Sequence, residues 1–266
     1  MSDEGVSRVQ VGEHSIAYRR AGRGPALVLL HGFLCDSRVW RMQLDGLATD
    51  FNVVAWDAPG AGQSSDPPDP FAMADWARCL ARFLDAVGVE RAHVLGLSWG
   101  GILAQELYRV DPARIDRLIL ADTYAGWRGS LPLEACEQRV ARCEHDSLLP
   151  PADLAPRWVD EMFTAAAAPE LLAEMSAVLS GFHPHGFRLM AKASADADTT
   201  DLLPTVQVPT LVLWGDEDAR SPVTIAHQLH GMIPGCELTV IPDAGHVSNM
   251  ERPEAFNAAV RRFLAA

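Results

Sequence analysis

Strand-like runs rich in apolar residues alternate with amphipathic stretches over most of the chain. The runs cover residues 26–30, 52–56, 93–97, 116–122, 210–214 and 237–241. The most continuous of them, at 26–30, is typical of a strand that is buried on both faces. Apolar residues recur with helical spacing in the stretches that follow several runs, including 73–87, 99–110, 223–232 and 253–264. Because strands that alternate with helices form parallel sheets, the pattern predicts an α/β fold with a mostly parallel sheet flanked by helices.

Two segments depart from this alternation. Near the N-terminus, two short strands are predicted at 9–11 and 15–18, joined by a turn at Gly12 and Glu13. Between residues 124 and 200 the sequence contains no convincing strand, only helical stretches near 133–146, 153–167, 169–180 and 185–197 that are separated by prolines. We interpret this second segment as an inserted helical cap. The predicted domains are therefore a core, residues 1–123 and 201–266, and a cap, residues 124–200.

Composition and charge narrow the class of protein. The chain has 266 residues, of which 48% are hydrophobic and 21% charged, and its formal net charge is −13. Such a surface repels nucleic acid and anionic membranes, so neither is an expected partner. Residues 1–5 are acidic and polar and do not begin a signal peptide, and no apolar run approaches the roughly 18 residues that a membrane span needs. We expect a cytoplasmic protein, either a monomer or a homodimer.

The five cysteines do not suggest a disulfide framework or a zinc site. Their number is odd, their spacing is wide and no Cys-x-x-Cys motif occurs. The His-x-His pair at His183 and His185 has no carboxylate cluster nearby in the sequence, which makes it weak evidence for a metal. We therefore expect reduced thiols and no bound metal.

The most informative motif is Gly96-Leu97-Ser98-Trp99-Gly100, which lies between a predicted strand and a predicted helix. A sharp turn at this place holds Ser98 in a strained backbone conformation, so the residues two positions away on each side must be small. The same turn leaves the Trp99 N–H free at the N-terminus of a helix, where it can stabilise an oxyanion. The sequence thus predicts that Ser98 is a nucleophile.

A serine nucleophile near neutral pH needs a base, and the base needs a carboxylate that fixes its tautomer. His246 follows the last predicted strand and is the candidate base. Asp218, which follows the strand at 210–214, is the favoured acid, with Asp216 and Asp122 as alternatives. These residues come together because the carboxyl ends of parallel strands meet at one edge of the sheet.

A second oxyanion donor is predicted in the loop after the strand at 26–30. The sequence of this loop is His31-Gly32-Phe33-Leu34, and the Phe33 N–H is the candidate donor. We interpret His31 as a structural residue that orders the turn.

These motifs resemble those of the α/β-hydrolase superfamily. The resemblance rests on His31-Gly32-Phe33, on the Gly-rich loop 57–64, on the Ser98 motif and its strand, on Gly215-x-x-Asp218, and on Gly245-His246 with the following residues 251–256. It covers nearly the whole chain and implies an eight-stranded sheet. Within the superfamily, the motifs look most like those of 3-oxoadipate enol-lactonases and related small lactonases and esterases.

The resemblance implies a Ser–His–Asp serine hydrolase that cleaves a carboxylic ester or lactone and needs no cofactor. A serine nucleophile argues against the dehalogenase and epoxide hydrolase branches, which use aspartate. Hydrolysis of C–C bonds of the meta-cleavage type and cofactor-free perhydrolysis use the same triad and stay open as alternatives. A ligand receptor built on a hydrolase fold is the alternative from another class.

The cap is expected to determine which substrate binds. The predicted substrate-binding residues are Leu34, Trp127, Trp158, Met162 and Val247. Six basic residues of the cap either bind a substrate carboxylate or lie on solvated helix faces: Arg128, Arg139, Arg142, Arg157, Arg188 and Lys192.

Overall fold

Eight strands form one sheet in this computed structural model, which describes residues 5–265. The strands are β1 (Val6–Val11), β2 (His14–Ala21), β3 (Ala26–Leu30), β4 (Asn52–Trp56), β5 (Ala92–Leu97), β6 (Ile115–Ala121), β7 (Thr210–Gly215) and β8 (Glu237–Ile241). Their order in the sheet is β1-β2-β4-β3-β5-β6-β7-β8. The N-terminal residues 1–4, on which the expected absence of a signal peptide depends, lie outside the described residues.

The sheet is parallel except at one end. β1 pairs with β2 and β2 pairs with β4 in antiparallel fashion, and all later neighbours are parallel. Strand β7 is buried along its whole length, as are most residues of β3, β5 and β6. The predicted α/β fold with a mostly parallel eight-stranded sheet is therefore confirmed.

Six helices accompany the sheet. They are α1 (Arg41–Leu47), α2 (Met73–Ala86), α3 (Trp99–Val110), α9 (Val223–Met232), α10 (Ser248–Glu251) and α11 (Pro253–Ala265). Helix α3 contacts β3, β5 and β6 and packs against α2, whereas α1 packs against α11. The helix after Asp36 starts as a short 3-10 helix, capped by the Asp36 side chain, and becomes α-helical at Arg41. None of the described helices is long and apolar enough to cross a membrane.

The segment between β6 and β7, which lies wholly within the described residues, contains no strand, one short 3-10 helix and five further α-helices. They are α4 (Trp127–Ser130), α5 (Leu133–Asp146), α6 (Pro151–Val159), α7 (Pro169–Leu179) and α8 (Pro184–Asp196). One helix is shorter than expected, because α6 ends at Val159 rather than near residue 167. Beyond that point the Met162 carbonyl accepts a hydrogen bond from the Val247 N–H at 3.2 Å. This contact with the loop after β8 replaces the next helical turn.

Helix α8 holds the cap segment against the core. The His183 ring nitrogens lie 2.6 Å from the Asp66 carboxylate and 3.0 Å from the Gly62 carbonyl, and His185 Nε2 lies 3.0 Å from the Pro67 carbonyl. The His-x-His pair therefore links the cap to a core loop. At the same junction Gly186 packs directly on the backbone of Gly60, and a Cβ atom on Gly186 would overlap the Gly60 carbonyl oxygen.

We predict that Gly186→Ala lowers the free energy of unfolding by about 1–3 kcal/mol, because the added methyl group forces α8 away from Gly60. Gly231→Ala in α9 is the matched control, since no atom lies within 4 Å of its added Cβ. That control should be neutral or gain up to about 1 kcal/mol through helix propensity. Urea unfolding followed by circular dichroism measures both, and equal stabilities of the two variants would contradict the proposed close packing.

Candidate active site

Ser98 occupies the single residue between β5 and α3. Its backbone angles are φ 54° and ψ −117°, a region that non-glycine residues rarely adopt. A Cβ atom on Gly96 would overlap the backbone of Gly100, and one on Gly100 would overlap the Leu30 carbonyl. Small residues at both positions therefore let the turn approach β3 closely. The Ser98 carbonyl accepts a hydrogen bond from Thr123 Oγ1 at 2.5 Å, which braces the turn from the end of β6.

The structure brings Ser98, His246 and Asp218 together in one series of hydrogen bonds. His246 Nε2 lies 2.9 Å from Ser98 Oγ, and His246 Nδ1 lies 2.8 Å from Asp218 Oδ2. All three side chains are buried. With Nδ1–H donated to the carboxylate, Nε2 is free to accept the Ser98 proton, which is the geometry of an activated serine.

The Asp218 carboxylate is fixed by its own loop. Oδ1 accepts the backbone N–H groups of Arg220 and Ser221 at 2.8 and 2.9 Å, and Oδ2 accepts the Ser221 hydroxyl at 2.6 Å. Burial alone would raise the pKa of Asp218, but the charge of His246 and these hydrogen bonds hold it below its ordinary value. Asp218 therefore stays ionised. Asp216 is exposed and does not contact His246.

A second carboxyl group, that of Asp122, lies buried at the end of β6. Its oxygens accept the Gly215 N–H at 2.8 Å and the Ser248 hydroxyl at 2.5 Å, and it makes no hydrogen bond to His246. Burial, together with the negative charge of Asp218, raises the pKa of Asp122 well above its ordinary value. Asp122 is the second alternative to Asp218 as the acid. In the structure its carboxyl group connects Ser248, at the start of α10, with Gly215, at the end of β7.

The two candidate oxyanion donors flank Ser98. Gly32 packs against Ser98, since a Cβ on Gly32 would lie 3.3 Å from the Ser98 Cβ. Within residues 5–265, neither the Phe33 nor the Trp99 N–H donates a hydrogen bond. Both groups are thus available to an oxygen that is bound in front of Ser98.

His31 orders the loop that carries Phe33. The Ala58 N–H donates to His31 Nε2 at 3.0 Å, so the ring proton is on Nδ1 and is donated to the Gly32 carbonyl at 2.8 Å. Burial lowers the pKa of His31, which keeps the ring neutral in this arrangement. The interpretation of His31 as a structural residue agrees with these contacts.

The Phe33 ring lies under aromatic residues of the cap. Its centroid is 6.1 Å from that of Trp127, 5.9 Å from that of Trp158 and 4.8 Å from that of Phe187. Leu34, in a left-handed conformation at φ 61°, lines a narrow crevice against α7 and α8. All these side chains are buried, so the cap closes over the site.

Two of the predicted pocket residues, Met162 and Val247, are joined through their backbones beside His246. Glu251 strengthens this junction, because its carboxylate accepts the Gly245 N–H at 2.8 Å and the Thr164 N–H at 3.1 Å. The Thr164 hydroxyl also donates to Glu251. Sequence reasoning missed the bracing role of Glu251, although the residue belongs to the motif that follows Gly245-His246.

Comparisons with known proteins agree with this architecture. The family described as alpha/beta hydrolase fold matches residues 25–253. The 3-oxoadipate enol-lactonase 2 of Acinetobacter baylyi is 29% identical over 237 residues, which cover 89% of this chain and 87% of the relative.

Two solved structures cover nearly all of the chain. A thermophilic esterase from Thermogutta terrifontis, with malate bound, is 32% identical with a TM-score of 0.91 and covers 97% of this chain and 98% of its own. A hydrolase from Pseudomonas aeruginosa is 32% identical with a TM-score of 0.89 and covers 100% of both chains. The catalytic roles of individual residues stay predictions.

We predict that Asp122→Asn weakens the pH dependence of stability. Because the pKa of Asp122 is higher in the folded than in the unfolded chain, its contribution to stability is complete at acidic pH and is lost as the pH rises through the folded-state value. The asparagine side chain does not ionise in this pH range. The free energy of unfolding of this variant should therefore fall less between pH 5 and pH 9 than that of the unaltered protein.

Urea unfolding at several pH values measures this difference. Asp216→Asn is the matched control, since it removes an exposed carboxylate from the neighbouring loop. Identical pH profiles for Asp122→Asn and the unaltered protein would contradict the prediction.

Proposed function

The chain belongs to the alpha/beta hydrolase fold family, and on that premise we propose that it is a serine hydrolase that cleaves a carboxylic ester or a lactone. The observation that carries the proposal is the hydrogen-bonded series from Ser98 Oγ through His246 to Asp218. Relatives described as esterase and enol-lactonase support the same class of bond.

In the proposed reaction, His246 Nε2 takes the proton of Ser98 as its oxygen attacks the substrate carbonyl. The imidazolium that forms is stabilised by Asp218, which the charge of His246 and its own hydrogen bonds keep ionised. The Phe33 and Trp99 N–H groups donate hydrogen bonds to the oxyanion, each contributing about 2.7–4 kcal/mol to stabilisation of the transition state.

The second half of the reaction uses the same residues. His246 gives its proton to the leaving alcohol, which departs and leaves an acyl group on Ser98. A water molecule then donates a proton to His246 and attacks the acyl carbonyl, which releases the acid and restores the serine hydroxyl. Neither a metal nor an organic cofactor takes part in these steps.

In this proposal the chain divides into a catalytic core, residues 1–123 and 201–266, and a helical cap, residues 124–200. The cap supplies the aromatic cover over Phe33, and Leu34, Trp127, Trp158, Met162 and Val247 contact the substrate. The substrate is a small molecule, and we expect the enzyme to act in the cytoplasm.

We predict that Ser98→Ala lowers kcat for p-nitrophenyl ester hydrolysis by about 10⁴-fold or more, because the nucleophile is lost. Ser180→Ala, which alters an exposed serine after α7, is the matched control and should keep full activity. Labelling with a fluorophosphonate followed by mass spectrometry should place the adduct on Ser98. An adduct elsewhere, or turnover that survives in Ser98→Ala, would overturn the proposed nucleophile.

Asp218→Asn should lower kcat by about 10³–10⁴-fold, because the amide no longer stabilises the imidazolium and can favour the wrong tautomer. Asp216→Asn removes a carboxylate two residues away and should change kcat less than about twofold. If the two variants lost activity equally, the acid would be misassigned.

A further inference from the structure

A crevice of about 160 Å³ lies between the cap and the loop that follows β7. Its lining includes three arginines (Arg139, Arg142 and Arg220), the carboxylate of Glu161 and the indole rings of Trp127 and Trp158. Three guanidinium groups and one carboxylate therefore share this space with two aromatic rings. The proposed catalytic steps use none of these charged side chains.

The guanidinium groups are held in place by aromatic rings. The central carbons of Arg142 and Arg220 lie 4.7 and 4.5 Å from the centroid of the Trp158 ring, and that of Arg139 lies 5.5 Å from the centroid of Trp127. Arg139 also donates to the Tyr124 hydroxyl at 2.9 Å. Stacking of this kind fixes the orientation of a guanidinium group and lowers the entropy lost on binding an anion.

The positive charge of the crevice is only partly neutralised. Glu161 pairs with Arg142 and with Arg220, each at 2.7 Å. Asp146, behind Trp158, accepts the indole N–H at 3.0 Å and lies 3.4 Å from Arg142 Nε. The three arginines outnumber these two carboxylates, and Arg220 Nε and Nη2 donate to no residue among 5–265. Burial lowers the pKa of Arg220, as expected for a cation that lacks sufficient solvation.

The crevice adjoins the proposed oxyanion hole. Trp127 and Trp158, which form its wall, also contact the Phe33 ring. On the other side, the Arg220 backbone N–H donates to Asp218 Oδ1. The crevice and the place where Phe33 would bind the acyl oxygen therefore have Trp127 and Trp158 in common.

We propose that this crevice binds a carboxylate group of the substrate, so that the preferred ester or lactone carries a second, ionised carboxyl group in its acyl part. This inference rests on the proposed serine hydrolase function and specifies its substrate class. Guanidinium groups bind planar carboxylates through paired N–H donors, which gives both affinity and orientation. Anchoring through the acyl part holds the substrate during both acylation and deacylation.

The six basic cap residues divide accordingly. Arg139 and Arg142 line the crevice, whereas Arg128 and Arg157 are mostly exposed. Arg188 donates to Ser147 Oγ at 3.2 Å, and Lys192 lines a separate groove between α8 and the core. Arg157 is thus a suitable control for Arg142, because it lies near the same Asp146 but does not line the crevice.

The test compares two esters of equal acyl length, mono-p-nitrophenyl glutarate and p-nitrophenyl pentanoate. The unaltered enzyme should hydrolyse the glutarate with a kcat/KM about tenfold or more above that of the pentanoate, the gain expected from one charge-assisted hydrogen bond. Arg142→Gln should lower this ratio about tenfold, mainly through KM of the glutarate. Arg157→Gln removes the same charge and should leave the ratio unchanged.

Direct binding separates failure of this inference from failure of the proposed function. In Ser98→Ala, titration with glutarate should quench tryptophan fluorescence, and the double variant with Arg142→Gln should bind glutarate about tenfold more weakly. Absence of both ester hydrolysis and a Ser98 adduct would refute the hydrolase function. Hydrolysis of both esters at equal efficiency, or a ratio insensitive to Arg142→Gln despite lower thermal stability, would show a network that only holds the cap and would overturn the carboxylate site.

Discussion

The contact on which the rest of the structure depends is the approach of the turn between β5 and α3 to the end of β3. Gly100 lies so close to the Leu30 carbonyl that no side chain fits between them. This proximity holds Ser98 at a positive φ, and the Thr123 hydroxyl braces its carbonyl from the neighbouring strand. The strain is maintained by the packing of three adjacent parallel strands. The Ser98 hydroxyl consequently lies at the carboxyl ends of the parallel strands, where the loops after β7 and β8 also lie.

Two neighbouring carboxyl groups behave differently because only one of them, Asp218, faces His246. Asp218 accepts two backbone N–H groups and the Ser221 hydroxyl, and it also faces His246. Asp122 is buried at least as deeply, makes no hydrogen bond to His246 and faces the negative charge of Asp218. A neutral Asp122 favours ionisation of Asp218, because it places no second negative charge beside that carboxylate. The ionised Asp218 in turn favours the neutral form of Asp122. The contact with His246, as well as the strand order, therefore supports the prediction that Asp218 is the acid.

The sequence was sufficient for the fold class and for the proximity of Ser98 and His246, because both follow from strands whose carboxyl ends share an edge. It favoured Asp218 over its neighbours by spacing, and the hydrogen bonds agree with that choice. The environment of Arg220 was beyond sequence reasoning. An arginine in a loop is normally exposed, and here it is covered by Trp158, more than 60 positions away in the chain. Long-range packing of this kind has no periodic signature.

The junction between the cap and the loop after β8 has a mechanical consequence. Glu251 holds Thr164 of the cap and Gly245 of the core through one carboxylate, and the Val247 N–H is bonded to the Met162 carbonyl. His246 lies between Gly245 and Val247 in the sequence, and both of these neighbours are anchored in this way. The position of the imidazole therefore depends on contacts made by the segment between β6 and β7, and not on the sheet alone.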